Sequence, residues 1–211
     1  MVNLEVNKSS TSKNKYPASL ISFWLSFFLF LRVRKAGSDS RFVTIKKDFS
    51  VFLFTWNLQG LWVLFTLFGA LTILTSVNNT SIAFIDIIGI LIWIVGFIIE
   101  IISDKQKSVF KNKKENKGRF IQIGLWKYSR HPNYFGEILV WIGLAIIGIP
   151  VYTGFGWLGL ISPFFVFVML NYISGVRLLE KQADERWDLD NDYQLYKSKT
   201  PVLFPYKLIK D

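Results

Sequence analysis

The chain has 211 residues, 51% of them hydrophobic, with 20 Phe, 8 Trp and a formal net charge of +10. It has no cysteine and one histidine, His131, which excludes disulfides, thiolate metal sites, a cysteine nucleophile and a histidine-rich metal centre. Its apolar residues fall in long runs rather than amphipathic periods, which argues against a soluble core and for an all-α, multi-pass transmembrane bundle of about five helices. Residues 1–16 are rich in Ser, Asn and Lys and read as a polar, disordered segment; 17–211 read as one membrane-embedded domain. The polar start is unlike a signal peptide. Leu20–Leu31 is a short first span, followed by a turn at Gly37 and Asp39. Phe49–Thr75 carries Asn57 and Gln59, expected to hydrogen-bond to neighbouring helices. The link at 77–81 reads as a tight turn, too short for its Asn79-Thr80-Ser81 pattern to be a good glycosylation acceptor. Ile82–Ile102 has Asp86 near one end and Glu100 and Asp104 near the other. Phe135–Tyr152 and Phe155–Ile173 form a hairpin around Gly154 and Gly156, and the tail from Arg177 to Tyr206 begins as a charged helix.

The basic residues test this layout. Of the 25 Lys and Arg, three lie in 1–16, six in 32–48, nine in 104–133 and seven in 177–211. Cytoplasmic loops accumulate Lys and Arg. The segments 32–48, 104–133 and the tail are therefore expected together on the cytoplasmic face. The charge is a topology signal and an attraction to anionic lipid headgroups, not the footprint of a nucleic-acid partner.

The stretch GLWKYSRHPNYFGEILVW at 124–141 is not built like a span. Pro132 fits a helix start, so a helix is expected from there, with Asn133, Glu137 and Trp141 on one face. An ionisable Glu137 one turn inside a membrane helix faces the bundle interior or a watery cavity; its alternative role is an interfacial cap paired with Arg130. Glu100 and Asp104 share a helix face, and Arg177, Glu180, Asp184, Glu185 and Arg186 form a third polar cluster. The expected topology brings all three to one membrane face. There they would enclose a pocket with an apolar interior beside it, suited to a phosphate-bearing soluble cofactor and a lipid. No GxGxxG loop opens a strand–helix unit, so a Rossmann site is not expected.

The run LWKYSRHPNYFGE, SP at 162–163, SG..LLE at 174–180, RW at 186–187 and Y..Y...TP.LFP at 193–205 resemble the steroid 5-alpha-reductase-like membrane family. The likeness covers about 32–206 and is greatest to a branch described as a domain of unknown function. The same superfamily holds sterol reductases, which use NADPH, and isoprenylcysteine carboxyl methyltransferases, which use S-adenosylmethionine. Asn133 followed by Tyr134, Gly136 and Glu137 resembles the reductases. The resemblance implies a cytoplasmic C-terminal cofactor site for NADPH. Arg130, Asn133, Tyr134, Glu137 and Trp141 would bind it, with Glu100, Asp104 and Lys111 from the preceding helix. Arg177 and Glu180 would close it from the tail, near Tyr193 or Tyr196. It also implies hydride transfer to an activated C=C bond of a lipid or steroid-like substrate. The catalytic Glu and Tyr of the steroid enzymes lie on upstream helices, two of which this chain is expected to lack; it offers Trp24 and, as its upstream tyrosine, Tyr16. The catalytic residues stay unassigned. The alternatives are a lipid methyltransferase and a non-catalytic membrane protein that keeps the fold.

Overall fold

The computed structural model describes residues 46–76, 82–173 and 175–205. The expected span at 20–31, the turn at Gly37 and Asp39, the link at 77–81 and Tyr206 lie outside the described residues. Two compact units divide the chain, 1–58 and 59–211. Every regular element among the described residues is helical.

Helix α1 (Phe49–Thr75) starts in the first unit. Asp48 caps it, its Oδ1 accepting from Ser50 N at 2.8 Å and Val51 N at 3.1 Å, which satisfies amides that have no partner inside the helix. Asn57, expected to reach a neighbouring helix, instead donates to the Leu53 carbonyl one turn back at 2.8 Å.

The second unit continues with α2 (Phe84–Asn112), α3 (Pro132–Gly148), α4 (Ile161–Val168), α5 (Val176–Trp187) and α6 (Asn191–Lys199). Among the described residues, four segments are long and apolar enough to cross a bilayer: Phe49–Thr75, Phe84–Asn112, Pro132–Val151 and Gly154–Trp187. The chain is thus a multi-pass helical membrane protein. Helix α3 begins at Pro132, as the sequence predicts, because proline has no amide to lose at a first helical position. The last span changes winding along its length, from a 3-10 segment at Gly154–Leu160 through α4 to a π turn at Met169–Ile173. A Cβ on Gly175 would overlap the Leu170 carbonyl, so glycine is needed where the chain leaves the π turn for α5.

Helices α2 and α3 are antiparallel and touch backbone to backbone at two levels. A Cβ on Gly136 would lie 2.6 Å from Gly96 O and 2.7 Å from Glu100 N, and one on Gly143 would lie 2.7 Å from Gly89 O. Small residues permit such an approach in lipid, where packing rather than water exclusion drives association. This seam sets Glu100 beside the first turns of α3. On the other side, α4 meets the second half of α1, where Ser162 Oγ donates to Phe65 O at 2.9 Å. Ile138, Val166, Leu170 and Leu203 form the core between α3, the last span and the tail.

Candidate functional site

The segment between α2 and α3 is fastened on both sides. A 3-10 turn, Gly124–Lys127, starts at a left-handed glycine, Gly124, with φ of +63°. Trp126 is buried and its Nε1 donates to Ser103 O at 3.1 Å, while Leu125 N donates to Gln106 Oε1 at 3.0 Å. Both acceptors belong to α2. From the tail, Pro201 O and Val202 O accept from Arg130 N and His131 N at 3.0 and 3.1 Å. Ser129 Oγ donates to Leu203 O at 2.8 Å, and Tyr196 OH donates to Trp126 O at 2.7 Å. Residues 126–131 therefore lie laced between α2 and the tail.

Glu180 on α5 completes the fastening. Its Oε2 accepts from Arg130 Nη1 at 2.5 Å and its Oε1 from His131 Nε2 at 2.7 Å. Arg130 is thus paired with the tail carboxylate of Glu180 and not with the nearer-in-sequence Glu137. Arg130 Nε, His131 Nδ1 and Asn133 Oδ1 are buried and have no hydrogen-bond partner among the described residues. The His131 ring also stacks on Tyr134 at 5.6 Å.

Beside this joint lies a cleft of about 200 Å³. Among the described residues, five cations line it, Lys107, Lys111, Arg119, Arg130 and Arg186, against one carboxylate, Glu180. Its walls are aromatic: Phe120, Trp126, Trp187, Tyr193 and Tyr196. The loop after α2 forms one wall. It is held by Trp187 Nε1, which donates to Gly118 O at 2.6 Å, and by Phe120, whose ring lies 5.4 Å from Tyr193 and 5.5 Å from Tyr196. Burial pushes the Tyr193 hydroxyl well above its ordinary range, as does its 2.8 Å hydrogen bond to Asp184. Burial raises Tyr196 as well, against the opposing pull of Arg130. Both phenols therefore stay neutral donors at physiological pH.

The predicted residues separate into groups. Lys111, Arg130 and Glu180 line the cleft. Glu100, Asp104, Tyr134 and Glu137 lie along the α2–α3 seam, where Asp104 is within Coulombic reach of both Tyr134 and Glu137. Asn133 stands in the first turn of α3, between the two groups. Trp141 packs on the core around Ile138 and Val166, and Arg177 is exposed and does not line the cleft. Lys107, Arg119, Phe120, Trp126 and Trp187 escaped sequence reasoning. Lys107 and Lys111 are four apart on a helix, a signal that could have found the first.

A family model described as "Protein of unknown function (DUF1295)" matches residues 6–200. An uncharacterized protein of Schizosaccharomyces pombe is 33% identical over 92 residues, 41% of this chain and 24% of that protein. Steroid 5-alpha-reductase DET2 of Arabidopsis thaliana is 27% identical over 122 residues, 57% of this chain and 41% of that enzyme. Its counterpart from Gossypium hirsutum is 27% identical over 118 residues, 56% of this chain and 41% of that enzyme. The match thus spans less than half the length of each of these relatives. No solved structure matches.

Proposed function

The chain belongs to the DUF1295 family, and from that premise we propose that it is a membrane-embedded reductase transferring hydride from NADPH to an activated carbon–carbon double bond of a steroid-like or other lipid substrate. The observation that carries this reading is the cleft with five cations, one carboxylate and aromatic walls. The likeness to two plant steroid 5-alpha-reductases supports the reaction class.

The residues fit a dinucleotide phosphate. A buried donor or acceptor left without a partner costs about 1–3 kcal/mol. Arg130 Nε, His131 Nδ1 and Asn133 Oδ1 are three such atoms within four consecutive residues, and Arg130 and His131 line the cleft. Lys107, Lys111, Arg119 and Arg186 would balance phosphate charge, and the rings would give flat faces for a base. Asn133 and Glu137 would hold the carboxamide end. NADPH, when bound, supplies the hydride. Glu180 orients Arg130, and the apolar interior around Ile138 and Val166 keeps water from the α3 side. The same charge disfavours S-adenosylmethionine, whose sulfonium would face five cations. The Lys- and Arg-rich loops support a cytoplasmic placement of this cleft.

Titration of the detergent-purified full chain with NADPH, followed by energy transfer from tryptophan, tests the reading. Saturable binding that weakens in Asn133→Ala and Lys111→Gln is expected. Retention of S-adenosylmethionine without NADPH uptake would point to a methyltransferase. Uptake of neither would leave a non-catalytic protein with the fold.

A further inference from the structure

The last turns of α2 have two faces. Lys107 and Lys111 point to the cleft, while Lys105 and Val109, with Lys113 just past the helix end, border a separate groove of about 390 Å³. Ile102 and Ile123 complete its apolar side. Hydrogen bonds build its frame: Gln106 Oε1 accepts from Leu125 N at 3.0 Å, and Asn116 Nδ2 donates to Phe110 O at 2.9 Å. From Phe84 to Ile102 the helix rises roughly 28 Å at 1.5 Å per residue, close to the hydrocarbon thickness of about 30 Å. With Phe84 set at one boundary of the hydrocarbon, Ile102 falls at the other and the groove at headgroup depth. Its apolar residues are open, with Ile123 60% exposed, Val109 50% and Ile102 42%.

We propose that this groove seats one anionic glycerophospholipid, its phosphate between Lys105 and Lys113 and the start of its acyl chains on Ile102, Val109 and Ile123. Apolar side chains open at headgroup depth, next to two cations, match a molecule that is apolar on one side and anionic on the other. Lys113 does approach Glu115 at 3.7 Å, but both side chains are more than half exposed, and such pairs contribute little. The groove borders the loop that walls the cleft, so an occupied groove would brace that wall. The site does not depend on the reductase reading.

Native mass spectrometry of the full chain, extracted from vesicles of phosphatidylcholine with a minor fraction of phosphatidylglycerol, tests it. One phosphatidylglycerol should stay bound in preference to phosphatidylcholine. Lys105→Gln with Lys113→Gln should weaken its retention roughly thirtyfold, the equivalent of about 1 kcal/mol per lysine near a charged surface. Lys114→Gln with Lys117→Gln removes the same charge from the adjoining loop, outside the groove, and should leave retention unchanged. Glycerol 3-phosphate, which lacks acyl chains, should not displace the lipid. Equal loss in both double variants, equal retention of the two lipids, or displacement by glycerol 3-phosphate would overturn the assignment.

Discussion

Removing the carboxylate of Glu180 tests the joint on which the cleft is built. The Glu180 side chain is 19% exposed, Arg130 11% and His131 7%. Glu180→Ala would leave the guanidinium buried without a counter-charge. Breaking a buried pair in this way costs about 3–5 kcal/mol. The residual exposure of Glu180 reduces the expected loss to about 2–3 kcal/mol. In a chain of this size that lowers the thermal midpoint by about 4–12 °C, readable in detergent by tryptophan fluorescence. A second variant separates architecture from binding. Arg130→Met with Glu180→Leu replaces the ion pair by apolar side chains, an exchange that is often neutral for buried pairs. The double variant should regain most of the stability and still lose NADPH affinity, because Arg130 no longer lines the cleft. A Glu180→Ala protein that melts with the parent, or a double variant that binds NADPH as the parent does, would refute the reasoning.

Gly136→Ala places a methyl 2.6 Å from Gly96 O, against backbone that cannot turn aside; it should cost about 1–3 kcal/mol in thermal unfolding. Gly60→Ala, with nothing within 4 Å of its Cβ, should instead stabilise α1 by about 0.5–1 kcal/mol. Arg119→Gln removes one of the five cleft cations and should weaken NADPH about fivefold, or roughly 1 kcal/mol, with the difference shrinking at high salt in the same titration. Alkaline unfolding follows from Tyr193 and Tyr196, whose folded hydroxyls are raised above their ordinary range. Their contribution is complete below about pH 10 and is lost as the pH rises through the folded values, so Tyr196→Phe should flatten the alkaline loss of stability.

The parts that were legible in sequence are those that local physics dictates. Apolar runs of bilayer length gave the spans, and a proline followed by a polar turn gave the start of α3 at Pro132. The approach of Lys111, Arg130 and Glu180 to one another is consistent with spans that cross a bilayer in turn and so alternate direction. What the sequence left open required tertiary information. Glu137 lies closer in sequence to Arg130 than Glu180 does, yet Glu180 makes the pair, because the tail folds back along residues 129–131 through backbone hydrogen bonds that have no sequence period. Trp141 shares a helix face with Glu137 by spacing, but one turn deeper that face meets Val166 and Leu170 rather than a polar site. Arg119 and Phe120 reach the cleft only because the loop bends at Gly118 and Gly124, with φ of +81° and +63°, and because Trp187 holds Gly118 O.

The two polar groups differ in sign, and that difference constrains the ligand more than either group alone. Five cations line the cleft, whereas Glu100, Asp104 and Glu137 lie along the seam. The backbone of residues 130–133 links them, with Arg130 facing the first and Asn133 opening the helix of the second. A ligand spanning both must be polyanionic at one end. At the other it must be uncharged with N–H donors, because a second anionic end would meet carboxylates. NADPH has that polarity, with a 2′-phosphate on its adenosine half, a pyrophosphate in the middle and a neutral reduced nicotinamide carboxamide at the other end. S-adenosylmethionine has its fixed positive charge at its centre and no phosphate, and its single carboxylate would leave most cations of the cleft without a counter-charge. The order of charge along the joint thus supports the proposed reductant over a methyl donor.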